Sequence, residues 1–376
     1  MDLSEPSEGG PEPSLADTCP LPDQDVVEDI LKGPFKKFND VLPIFQHVKF
    51  MQMVRSWYSD PSSQDMATWA SINVAMALGL RHSPFPHSES SQEMALACIS
   101  NAQSSIDGLV YRDQDLKGLQ VLLGLVVLFL TSPHPYPACV WIATAVKLVH
   151  RLRLHRKDAY EGLAADVARQ RCRLFWVTYV LDRELCNHTS EPYLIRDDDF
   201  DVGAPAKYRC KAGTVRLHDG TEANLFHLRI GLARVQGRAY DFVHSVSAAG
   251  LSDHARSMRL SDVGQMLGSW YGKVPAACRL HGKGSLDFRT CDDSISHHVV
   301  SLHFAYYHCL FSAHGANTRN KFMIDPLVKL GEDPKQETLS TRDISFPRDW
   351  SDLEQTAREC LEIDWRVKTG DPRLKW

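Results

Sequence analysis

The chain has 376 residues, 43% of them hydrophobic, enough to bury one large core or two smaller ones. Forty-two basic residues against 47 acidic ones give a net charge of -5 and a pI near 6.4. A surface that holds DNA by neutralising phosphates carries a basic surplus, so strong direct binding to nucleic acid is not expected.

The first residues are acidic and polar, without the basic stretch and apolar core of a secretory signal. The longest apolar run, roughly Leu119 to Leu130, falls well short of the ~20 residues that cross a bilayer. The chain is therefore expected to be soluble and intracellular, with no membrane partner. Asn187-His-Thr189 matches a glycosylation sequon, which has no use without export. The 10 cysteines are scattered, without the close pairs of a structural zinc site. They read as buried, reduced thiols.

Residues 1–25 are rich in Pro, Ser and acid, and Lys32 is the first basic residue. Such a segment buries too little apolar surface to offset its ordering entropy, so a disordered acidic tail is expected over residues 1–30. Its composition suits a solvated terminus or an acidic activation tail. Trp69, Ile72, Asn73, Met76 and Leu80 then recur at helical spacing and predict a helix over 66–80, closed by Pro84 and Pro86. Residues 92–101 form another helical candidate. Residues 118–130 are apolar nearly all round, as a central buried helix would be, and Ser132-Pro-His-Pro-Tyr-Pro137 breaks the run.

A helix over 138–154 puts Trp141, Ala145, Leu148, Val149 and Leu152 on one face. It ends in Arg151, Arg153, His155, Arg156 and Lys157, cations that complement the negative pole of the helix dipole. A long helix over 163–186 carries Leu174, Val177 and Leu181 on one stripe, with Phe175, Tyr179 and Asp182 beside it. Glu191-Pro192 ends that region, and 195–202 is an acidic loop. After a polar stretch over 207–220, helices are expected over 222–247, 260–271, 294–317 and 353–367, with an irregular loop over 321–350. No convincing strand alternation and no fixed-period repeat is present. The fold class is all-α, a multi-helix domain behind an acidic tail.

Chemical motifs are scarce. Gly282-Lys-Gly-Ser285 has the wrong spacing for a phosphate loop, and G-x-G-x-x-G, G-x-S-x-G and H-E-x-x-H are absent. His297, His298, His303 and His308 share one predicted helix without a carboxylate at ligand spacing, which favours lining of a helix interface over a metal site. Asp197-Asp-Asp-Phe-Asp201 invites a calcium reading, but Val202 and Tyr208 stand where an EF-hand needs Gly and Glu. Acid–base work remains conceivable there, and loop capping or pairing with Arg is the plainer role. The cations from Lys147 to Lys157, with Arg169, Arg171 and Arg173, read as helix-end charge and salt bridges, or as a phosphate contact. Trp141, Phe175, Trp176, Tyr179, Tyr306, Tyr307 and His308 could pack as core or line a cavity. No catalytic, cofactor-binding or metal-binding residues are assigned, and the chain is expected not to be an enzyme.

The order of the segments resembles the fungal-specific transcription factor domain, the fungal middle homology region. Phe38-Asn-Asp-Val-Leu-Pro-Ile-Phe-Gln-His-Val-Lys-Phe50 is similar to its opening turn. Trp69-Ala-Ser-Ile-Asn-Val-Ala-Met-Ala-Leu-Gly79 and Leu119-Gln-Val-Leu-Leu-Gly-Leu125 are similar to its next helices. The core of the resemblance is a helix from Trp141 to His155-Arg156, then Arg171-Cys-Arg-Leu-Phe-Trp-Val-Thr-Tyr-Val-Leu-Asp-Arg183, then Pro192, Ile195 and the loop carrying Asp197, Asp199 and Asp201. Leu232-Ala-Arg-Val-Gln-Gly-Arg-Ala-Tyr240 and Leu302-His-Phe-Ala-Tyr-Tyr-His-Cys-Leu310 resemble later family helices, so the likeness runs over roughly 35–317. Two departures stand out. Arg153 occupies a position where glycine is usual, so that helix end is expected to be shaped differently. Ser190-Glu191 replaces the usual Gly-Arg, which puts the ion pairing of the loop in question.

The resemblance implies a regulatory domain of a nuclear transcription factor, with residues 318–376 as a loop and helix of the same domain or an extension of it. Family members carry a zinc-binding DNA-reading module, which supplies the zinc and the DNA contact and is not found in this sequence. DNA contact is therefore expected to be indirect, through an upstream region or a full-length partner. A homodimer or heterodimer and a small-molecule effector are the other expected partners. The competing reading is a small-molecule-binding or biosynthetic protein built on the same scaffold. Arg171, Arg173, Asp182 and Arg183 next to the acidic loop suggest an ion-pair network that fastens loop to helix.

Overall fold

The structure, a computed structural model, describes residues 18–82, 89–111, 116–130, 132, 135–208, 211–217, 219–280, 286, 293–318, 354 and 357–361. The chain divides into two compact units, Met1–Thr178 with Asp197–Cys210, and Tyr179–Arg196 with Lys211–Trp376. The division falls inside the long helix and its returning loop.

In the first unit, α1 (Gln24–Lys32) and α2 (Pro34–Val41) precede α3 (His47–Ser59). The expected tail therefore ends earlier than residue 30: Val27 and Leu31, one turn apart, are fully buried. Between them Glu28 pairs with Lys32 and lies 3.3 Å from Arg55 of α3. Two apolar residues one turn apart were enough to anchor a helix that composition alone hides. Residues 1–17 lie outside the described residues.

Helix α4 (Met66–Arg81) is the centre of this unit, with every residue from Thr68 to Leu80 buried. Its start is fixed by Asp65, whose side chain accepts the Thr68 N–H at 2.8 Å, an N-cap worth about 1 kcal/mol. It packs against α5 (Glu89–Ser104) and α7 (Leu116–Leu130), and α7 packs against α8 (Tyr136–Arg151). The short α6 (Ile106–Tyr111) joins α5 to α7. The α4–α7 approach is close: a Cβ on Gly124 would come within 2.1 Å of Val74, so only glycine admits it. Helix α9 (Ala165–Thr189) begins in this unit.

The second unit starts with the remainder of α9. A hairpin of β1 (Thr214–Arg216) and β2 (Glu222–Asn224) follows, paired antiparallel with Thr214 opposite Asn224. This corrects the expectation of no strand: three-residue strands are too short to show alternation in sequence. The same hairpin moves the start of the next helix, α10 (Leu225–Ala239), where the Asn224 side chain accepts the His227 N–H at 2.7 Å. The helix expected to continue to 247 instead widens into a π-helical turn over Tyr240–His244 and restarts as α11 (Val246–Ala249). Helices α12 (Asp253–Tyr271) and α13 (Asp293–Thr318) both pack against α10. The loop expected over 321–350 lies outside the described residues. Of the last expected helix, residues 354 and 357–361 are described, as helix. No described helix is long and apolar enough to cross a membrane.

Candidate functional site

The motifs of the resemblance fall around α9, which begins in the first unit and ends in the second. In the first unit, α8 ends in a left-handed cap. The Leu154 N–H donates to the Val149 carbonyl at 2.9 Å and the Arg153 N–H to His150 at 3.0 Å, with Arg153 at φ 55°. That is the Schellman arrangement, in which glycine is the usual left-handed residue. The expected change of shape at Arg153 is thus corrected: the left-handed geometry is kept and an arginine adopts it. Arg153 sits 2.6 Å from Asp158, and Arg156 3.8 Å from the same carboxylate.

Residues from α9 and the acidic loop fasten to this turn. Arg171 donates to the Leu152 carbonyl at 2.5 Å, satisfying a group at the end of α8. The Asp201 N–H donates to the His155 carbonyl at 3.1 Å, and the Asp201 carboxylate accepts the Lys157 N–H at 2.6 Å. That N–H, with the nearby Arg156 and Lys157 charges, holds the Asp201 carboxyl below the usual range. Trp176 donates to the Gly203 carbonyl at 3.0 Å, and Phe175 and Trp176 meet Phe200 at 5.0 and 5.6 Å. His155 meets His150 edge to face at 4.9 Å, and burial lowers the pKa of both rings. Asp197 and Asp199 are exposed and Arg173 is half-buried. Two members of the expected network, Arg171 and Asp201, hold the turn through backbone groups. Backbone donors and acceptors have fixed positions, which a surface ion pair lacks.

The opening motif is clamped in a similar way. The Asn39 amide donates to the Phe45 carbonyl and accepts the Phe45 N–H, both at 2.8 Å. Gln120 and Gln170 both donate to the Ile44 carbonyl, at 2.7 and 3.0 Å. Sequence reading missed all three amides. A buried Asn at helical spacing was the available signal.

In the second unit, Asp182 is 2% exposed and accepts the N–H groups of Leu194 and Ile195, both at 2.9 Å. Burial pushes its carboxyl pKa up, against the pull of those two donors and of Arg183 at 3.5 Å. Arg183 is fully buried, its guanidinium 3.5 Å from the Tyr193 ring centroid and 4.7 Å from that of Tyr179. Tyr193 donates to the Asp241 carboxylate at 2.8 Å, tying the loop to the π-helical turn. Gly237 of α10 allows the approach, since a Cβ there would lie 2.6 Å from Arg183 Nε. Ser190, the second residue in a glycine position, has φ 59°. Pro192 is exposed.

The aromatic candidates do not gather in one place. Trp141 stands edge to face on Phe129 at 4.9 Å, in the first unit with Phe175 and Trp176. Tyr179, Tyr306, Tyr307 and His308 belong to the second unit. There Tyr306 stacks on Trp270 at 5.5 Å, Tyr307 donates to Glu359 at 3.2 Å, and His308 stacks on His188 at 5.4 Å. Among the described residues no group of His, Cys, Asp and Glu is arranged to hold a metal ion. An open groove of about 660 Å³ lies elsewhere in the second unit, between α10 and α12; it contains none of the expected lining residues, although Trp270, which stacks on Tyr306, lines it.

The class this defines is an all-α protein whose recurrent motifs fasten a loop back onto one long helix. Residues 35–209 match the fungal specific transcription factor domain, and this part of the chain belongs to that family. It is 31% identical over 305 residues to an ABC-transporter-regulating transcription factor of Aspergillus fumigatus, covering 78% of this chain and 33% of the relative. The namesake protein of Aspergillus oryzae is 30% identical over the same lengths and shares. The Fusaridione A cluster transcription factor fsdR of Fusarium heterosporum is 25% identical over 292 residues, 77% of this chain and 54% of the relative. The chain thus spans about a third of the length of the two Aspergillus relatives. No solved structure matches it. Family and relatives are transcription factors, not enzymes.

Proposed function

We propose that this chain is the regulatory part of a fungal transcription factor, acting in the nucleus to control RNA polymerase II transcription. DNA contact comes from a zinc-binding module or a partner protein outside these residues, and the helical units respond to an effector or partner. The observation that carries the reading is the match of residues 35–209 to the family domain, extended by 31% identity over 305 residues to a named regulator. The net charge of -5 supports the division of labour, because it suits a domain that does not itself hold DNA.

The test is a fusion of the chain to a heterologous DNA-binding module in a fungal host, with a reporter and a fluorescent tag. Nuclear signal and a changed reporter level are expected. A fusion that reaches the promoter and leaves the reporter at the level of the module alone overturns the reading. Because two relatives are named for regulating ABC transporters, transcripts of that transporter class are the first to measure on deleting the gene.

A further inference from the structure

The groove between α10 and α12 is the concave feature with chemistry of its own. The two helices run antiparallel. Trp270 donates its indole N–H to the Leu228 carbonyl at 2.9 Å, while Arg259 lies 5.5 Å from the centroid of the Phe242 ring. The groove takes every third or fourth residue of each helix: 227, 231 and 234 from α10, and 262, 266, 269 and 273 from α12. Its floor is apolar, made by Gly231, Met266 and one edge of Trp270. Gly231 lets the indole lie close against α10, since a Cβ there would stand 3.2 Å from it. Trp270 also stacks on Tyr306, with the ring centroids 5.5 Å apart.

The rim is uneven in charge. His227 and Lys273 fall at one end, and Arg234 and Asp262, the single acid, lie toward the other. Lys273 is exposed. A volume of about 660 Å³ lies in the range of small-molecule sites, in which an apolar wall and a few convergent polar groups set orientation.

We propose that this groove binds a small amphipathic anion. The carboxylate or sulfonate lies at the Lys273 and His227 end, and the flat apolar body lies over Gly231 and Trp270. In the cell such a molecule is the effector of the regulatory reading above, and that use rests on it. The binding itself does not.

The experiment is a titration of the full chain with 8-anilino-1-naphthalenesulfonate, read by dye emission and by Trp fluorescence, followed by displacement with decanoate or 1-decanol. One saturable site is expected, with decanoate displacing the dye better than decanol. Lys273→Glu, on the exposed rim, weakens binding about tenfold or more, and Asp262→Asn strengthens it. Gly231→Leu fills the floor and abolishes binding, with melting curves confirming that each variant is folded. Unchanged affinity in Lys273→Glu together with equal displacement by decanol overturns the proposal, as does unchanged affinity in a folded Gly231→Leu. A chain that drives the reporter but ignores the dye overturns the groove alone. Dye binding by a chain that never moves the reporter overturns the regulatory reading alone.

Discussion

Two aspartates fasten the segment around the end of α9, and they do so under opposite conditions. Asp182, in the second unit, is almost fully buried and its pKa is raised by that burial. Asp201, in the first unit, is exposed and its pKa is lowered, chiefly by the Lys157 N–H. Both carboxylates accept backbone N–H groups. The difference teaches that the same bond can be a surface fastening or a core element. Water decides which: a desolvated carboxylate must have its donors, whereas an exposed one can exchange them for solvent.

The largest expected effect follows from Asp182. Asp182→Ala leaves one buried and one partly buried N–H group without an acceptor and the Arg183 charge without its neighbouring anion. A loss of about 3–5 kcal/mol is expected, the range for breaking a buried charge pair. Asp182→Asn keeps one acceptor and should lose less. Denaturant melts of the chain check both, and an unchanged midpoint for Asp182→Ala removes the buried half of the comparison. Asp201→Ala should shift the midpoint far less.

Gly237→Ala is the next probe, because it strikes Arg183 without touching charge. The new methyl would stand 2.6 Å from a guanidinium held between Tyr179 and Tyr193. Overpacking of this kind costs about 1–3 kcal/mol. A chain that tolerates it with no change in melting would show that Arg183 is free to move.

The pH dependence separates the two aspartates by sign. A raised folded pKa means that the native state holds its proton more tightly than the unfolded state. Wild type should therefore gain on Asp182→Asn as pH falls from above the folded pKa of Asp182 toward the ordinary 3.8. Asp201 has a lowered folded pKa, so its contribution is complete above 3.8 and is lost as pH falls through the folded value. Between wild type and Asp182→Asn the gap in urea midpoint should thus widen as pH falls toward 4, while the gap to Asp201→Asn stays constant over the same range. Parallel lines for both would mean that Asp182 is not desolvated as described.

How far these features can be read from sequence depends on the same distinction. The apolar stripes of α4, α7, α8, α9 and α13 announce themselves, because burial of Trp69, Leu123, Leu148, Phe175 and Val299 leaves a helical period in the chain. Asp182 was visible as an acid beside such a stripe, although its closest partners proved to be backbone N–H groups, with Arg183 farther off at 3.5 Å. Tyr193, Asp241 and the two glutamines that clamp the opening motif left no period, since each acts through hydrogen bonding to a residue distant in sequence. The α10–α12 groove was also illegible. A surface made by two helices exists only once they are packed, and α12, with Gly264, Gly268 and Gly272 along it, shows little amphipathic pattern.

The smallest effects sharpen the comparison at the two helix ends. Arg153 and Ser190 are the non-glycine residues with positive φ among those described, at 55° and 59°. Both occupy positions where the resemblance places glycine. A left-handed conformation costs an L-residue about 1–2 kcal/mol relative to a right-handed one, a penalty that glycine does not carry. Substituting glycine also makes the unfolded chain more flexible, which removes part of that gain. Ser190→Gly should therefore stabilise by about 1 kcal/mol or less. Arg153→Gly should gain less still, because it gives up the exposed pair with Asp158, itself worth about 0–1 kcal/mol. High salt screens that pair, so the shortfall of Arg153→Gly against Ser190→Gly should shrink as salt is added. If the shortfall stays constant with salt, the Asp158 pair contributes nothing and the arginine is tolerated by its backbone alone.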